Sequence, residues 1–91
     1  MEKITESLDE RFGESFKLAR ESMGFSQREV AEELKLAWKT IEDLEEENFE
    51  SLPPYVFVRG YVKSYCKLVA LDSEMMASKL SELYKSHAKA V

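Results

Sequence analysis

Apolar residues recur along this chain at intervals of three and four, the period of helices that bury one face. Leu8, Phe12, Phe16, Ala19 and Met23 make the first such stripe and predict a helix over residues 7–23. Ser7 and Glu10 stand three apart at its start, the spacing at which a hydroxyl and a carboxylate satisfy orphan amide donors. Gly13 weakens this helix by about 0.5–1 kcal/mol relative to alanine, and Gly24 sits where a left-handed cap would close it. Ser26 and Glu29 repeat the capping-box spacing, with Phe25 and Val30 placed as a hydrophobic staple. A second helix is predicted over residues 27–35, burying Val30, Ala31 and Leu34, and a third over 38–46, burying Ile41 and Leu44. The connection Lys35-Leu36-Ala37 is short enough that these two helices must cross steeply, which is the layout of a helix-turn-helix over residues 26–47.

Residues 48–51 read as a loop, with Phe49 and Leu52 folding back onto the core. Pro53 and Pro54 suit a first helical turn, where a missing amide costs nothing, and a fourth helix is predicted over residues 54–69. Asp72 is placed to cap a fifth helix over 73–87, with Met76, Leu80, Leu83 and Tyr84 on its apolar side. The tails 1–6 and 88–91 are expected to fray. No alternating strand pattern occurs, so the expectation is one all-α domain of five helices in 91 residues.

Charge narrows the function. The net charge is −5, so bulk electrostatics disfavour phosphate backbones. Cys66 is the sole cysteine and reads as a small buried side chain, outside any disulfide or metal framework. His87 is the sole histidine, near a chain end, and reads as a surface group. The run Glu45-Glu46-Glu47 reads as a solvated helix face. Residues 1–10 do not resemble a secretory leader, and no stretch of 18 apolar residues is present. No constellation points to an enzyme, a cofactor, a metal or a small-molecule substrate. As a DNA reader, the third helix would offer Lys39 and Thr40, with Arg28 nearby on the second. Against them stand Glu42, Asp43, Glu45, Glu46 and Glu47.

Residues 52–71 contain no acid in an otherwise acidic chain. On a helical wheel Phe57, Tyr61, Tyr65 and Leu68 fall within a sector of roughly 80°, widened by Val58, Val62 and Val69, while Arg59, Lys63 and Lys67 follow one another at intervals of four. Aromatic and basic residues are enriched in protein interfaces, but aromatic stripes are as often core. Periodicity leaves the two uses evenly matched, with Val58, Val62, Leu68 and Val69 assigned to the core.

The segment SQREVAEELKLAWKTIEDLEE resembles the helix-turn-helix of the Xre/Cro-like superfamily. With PPYVFVRGYVKSYCKLVALD after it, the span 13–72 resembles the cytoplasmic N-terminal domain of the RodZ family. That resemblance implies a non-enzymatic adaptor that binds the bacterial actin-like filament protein MreB and links it to cell-shape and wall-synthesis machinery. It implies a filament contact through Phe57 and Tyr61. By charge, Arg59, Lys63 and Lys67 join that contact, and Tyr65 stands between contact and core. It also implies a longer, inner-membrane-anchored protein of which this would be the cytoplasmic domain. Three positions depart from a DNA reader: Lys35 where a turn glycine is common, Ala37 in place of a serine cap, and the bulky Trp38.

Overall fold

In the computed structural model, residues 11–88 are described, with side chains through residue 85. The expected helix start at Ser7, the contribution of Leu8, the tails 1–6 and 89–91 and the His87 side chain lie outside what is described, while Ala88, expected to fray, is helical. Helix α1 spans Phe12–Ser22, α2 Gln27–Leu34, α3 Trp38–Glu46, α4 Tyr55–Val69 and α5 Ser73–Ala88. The fold is all-α among the described residues. The segment read as a loop holds one 3-10 turn, Phe49–Ser51, which carries Phe49 into the core.

Local sequence accounts for most helix ends. Ser26 Oγ accepts from the Glu29 amide (3.1 Å) and Glu29 Oε1 from the Ser26 amide (2.8 Å), completing the capping box of α2. Asp72 Oδ1 accepts from the amides of Glu74 and Met75 at the start of α5. Ala37 supplies no side-chain cap to α3. Pro54 is in an extended conformation (ψ 156°) and caps α4 from outside, so the helix begins one residue later than the prolines suggest. Gly24 takes the expected left-handed conformation (φ 81°). Lys35, Glu47 and Ala70 do the same without glycine's freedom, ending α2, α3 and α4.

The core is a layer of apolar side chains between these helices. Phe12 and Phe16 of α1, Val30 and Ala31 of α2, Ile41 and Leu44 of α3, and Met76 and Leu80 of α5 are buried, as their periodicity predicts. Leu34, Leu83 and Tyr84 pack against this cluster at its edge. Met23 departs from the stripe expected of α1. It caps the helix and is largely exposed, because the chain has already turned toward Gly24. The side chain that takes the inward place is Arg20. Tyr84 donates to the carbonyl of Pro53 (3.0 Å), which ties α5 to the turn ahead of α4.

Gly13 has a reason beyond helix propensity. A β-carbon there would lie 2.0 Å from the carbonyl oxygen of Glu45, so α1 and α3 approach too closely for any other residue. Glu47, just past α3, returns its Oε2 to the Gly13 amide at 2.8 Å and satisfies one orphan donor at the start of α1. Gly13→Ala should therefore destabilise the domain by about 1–3 kcal/mol through overpacking, although alanine is the better helix former. A urea titration of both proteins checks this, and equal midpoints would remove the close approach as a constraint.

Candidate functional site

The acid-free helix α4 does not present its aromatic sector to one environment. Phe57, near its start, is 56% exposed, Tyr61 one turn later is half-buried, and Tyr65 one turn further is 0% exposed. The sector thus runs from solvent into the core, where the Tyr65 ring stacks on Phe16 with centroids 4.3 Å apart. Tyr65, counted among possible partner contacts, is corrected to a core residue: Phe16 covers its ring, and its hydroxyl bonds to Glu45. Val58, Val62 and Val69 are buried as expected, and Leu68 is half-buried.

Phe57 remains available, and beside it Val56 is 67% exposed. Periodicity gave Val56 no role; its position next to Phe57 on a helix with no acid was the available signal. Arg59, Lys63 and Lys67 are all exposed. Among the described residues none of these cations takes part in an ion pair. The face therefore combines unpaired positive charge with protruding apolar groups on a chain of net charge −5.

What fixes this helix is a polar cluster beneath it. Glu45, expected on a solvated face, has a side chain only 4% exposed. Its two oxygens accept from Arg20 Nε (2.7 Å) and Nη2 (3.0 Å), a bidentate pair. Gln27 Nε2 donates to Oε1 at 3.0 Å, and the Tyr65 hydroxyl donates a short hydrogen bond to Oε2. Arg20 also donates Nη1 to the carbonyl of Phe25. The members of the glutamate run face different ways: Glu45 inward, Glu47 back to Gly13, and Glu46 alone exposed. Arg20 in the apolar stripe of α1, one turn after Phe16, was the signal that a buried acid waits opposite.

The electrostatics follow from this geometry. Burial pushes the Glu45 carboxyl up, but the hydrogen bonds from Arg20, Tyr65 and Gln27 outweigh it and hold the group below the ordinary carboxylate range. Burial, then the adjacent carboxylate, drives the Tyr65 hydroxyl far above its ordinary value, so it stays a donor. Cys66 is buried, and burial raises its thiol to about 11, which leaves it protonated and unreactive at neutral pH.

The groups named for a DNA reader are partly engaged within the chain. Arg28 stacks over the indole of Trp38, 4.6 Å from its centroid, and the indole donates to Gln27 Oε1 at 3.0 Å. Lys39 pairs with the buried Asp43 at 2.9 Å, which raises the ammonium pKa, and Thr40 is half-buried. Among the described residues no group of three or more His, Cys, Asp or Glu is placed to hold a metal, and no helix is long and apolar enough to cross a membrane.

A short α2, a tight turn and α3, braced by α1 and α4, define a helix-turn-helix protein. The comparison with known families agrees: a helix-turn-helix domain profile matches residues 16–76, and the chain belongs to that family. No solved structure gives a significant match.

Because the folded pKa of Glu45 is depressed, its contribution to stability is present above the ordinary value of 4.5 and is lost as pH falls through the folded value. Glu45→Gln should cost about 3 kcal/mol at pH 7 by leaving the buried Arg20 with only the solvent-exposed Glu21, 4.0 Å away, as counter-charge. That gap should narrow as pH falls below 4.5, because the unfolded chain takes up the proton before the folded state does. Urea midpoints across this range measure it, and a gap that stays constant would remove the charge of Glu45 from the account.

Proposed function

We propose that the domain is a non-enzymatic adaptor that docks onto an actin-like bacterial filament of the MreB type through helix α4. The observation that carries this is the exposure of Phe57, with Val56 beside it, on a helix face whose only charged groups are Arg59, Lys63 and Lys67. A large aromatic left in water at a fixed position is costly unless a partner covers it, and such residues dominate interface energetics. The resemblance to the RodZ family points to Phe57 as well and adds Tyr61.

The mechanism is geometric. The core valines and Tyr65 hold α4, so Phe57 enters an apolar pocket on the filament with little ordering cost. Tyr61, half inside the domain, contributes its outer edge. The cations speed encounter with acidic groups on the filament and set orientation more than affinity. A single weak contact suffices, since filament sites repeat and membrane-tethered copies are many. In this reading the full protein is anchored in the bacterial inner membrane and couples filament to wall-synthesis machinery.

Co-sedimentation with purified MreB-type filaments tests the proposal. Phe57→Ala should weaken binding by about 2 kcal/mol, as expected of a hot spot, with the circular dichroism melt unchanged because the side chain is mostly outside the core. Tyr61→Ala should lower both binding and stability. Undiminished binding by Phe57→Ala would overturn the assignment. For duplex DNA, affinity should be weak and show no steep fall with salt, in contrast to a reader that releases counterions from several phosphates.

A further inference from the structure

Gly60 sits in the interior of α4, where glycine is among the poorest helix formers. Neither of the usual reasons for glycine applies. Its φ is not positive, and a β-carbon built on it would meet nothing within 4 Å. The contrast with Gly13, where the neighbouring helix fills that space, is complete. Among the described residues nothing therefore requires glycine's lack of a side chain here.

The surroundings suggest what does. Gly60 lies one turn after the exposed Val56 and one turn before the exposed Ser64, and it directly precedes Tyr61. It forms a notch in the outer face of α4, with Val56 and Phe57 as its apolar wall and Lys63 beside it. We propose that Gly60 is a close-approach position: the partner's backbone crosses α4 over the bare Cα. Phe57 and Val56 flank the crossing segment, and its carboxylates meet Lys63 and Arg59. The occupant is a protein surface with an apolar pocket rimmed by acid, matched to the cations of this acid-free helix. This inference rests on the filament-docking reading and adds to it the residue that sets how closely the two backbones pack.

The test joins stability and binding in one variant. Gly60→Ala in the full chain should melt at a higher temperature than the parent, since alanine favours the helix and its methyl points into open space. The same variant should bind MreB-type filaments about tenfold more weakly, because the methyl holds the partner off, and Gly60→Leu should bind weaker still. Phe57→Ala runs alongside as the reference. If Gly60→Ala binds within twofold of the parent while Phe57→Ala does not, the close approach is wrong and the docking reading stands. If both bind like the parent, the docking reading fails and the close approach with it. A lower melting temperature for Gly60→Ala would also overturn the inference, because the space it assumes would not be open.

Discussion

Four helices of this domain meet at one carboxylate. Glu45 of α3 receives the guanidinium of Arg20 from α1, the amide of Gln27 from α2 and the hydroxyl of Tyr65 from α4. A buried ion pair is weak evidence for net stability, since desolvation offsets much of the attraction. Its clearer consequence is uniqueness. Apolar packing alone tolerates rotation and sliding of helices at modest cost, whereas four donors aimed at two oxygens do not. Among the described residues no buried side-chain polar atom is left without a partner, so the cluster is satisfied and the alternatives to it are expensive.

The same cluster changes the meaning of acid on α3. Counted along the chain, Glu42, Asp43, Glu45, Glu46 and Glu47 look like a uniform repulsive surface. In space Asp43 is buried and accepts from Lys39 and Asn48, Glu45 binds three helices, and Glu47 caps α1. These acids are largely structural. The cations that would have opposed them are engaged as well, Lys39 with Asp43 and Arg28 on Trp38. Helix α3, the second helix of the helix-turn-helix, braces its neighbours through these acids.

Most of the fold was legible because local chemistry and burial pattern agree. Ser26, Glu29 and Asp72 cap the helices their spacing predicts, and the residues expected inward in α2, α3 and α5 are buried or pack at the edge of the core. The site was legible only in part. A three-residue glutamate run has the same spelling whether water or a buried arginine lies opposite, so Glu45 could not be placed without knowing where α1 crosses. The wheel put Phe57 and Tyr65 in one sector correctly, but a period reports direction around a helix and not how far along it the neighbours reach. Tyr65 lies under Phe16 of α1 with its hydroxyl on Glu45 of α3 while Phe57 stays exposed, and that is a tertiary fact.

This gradient along α4 links the core to the outer face. The inner end of the aromatic sector is locked twice, by ring stacking on Phe16 and by the hydroxyl bond to Glu45. The outer end, two turns away, inherits that fixed orientation through a continuous helix whose Val58, Val62 and Val69 are buried. Phe57 is therefore held in place without being covered. Loss of the Tyr65 hydroxyl would act on the proposed docking surface without touching it, by loosening the helix that presents it, while leaving the exposed cations and apolar groups unchanged in kind. Affinity on such a face depends as much on the rigidity beneath it as on the residues at its surface.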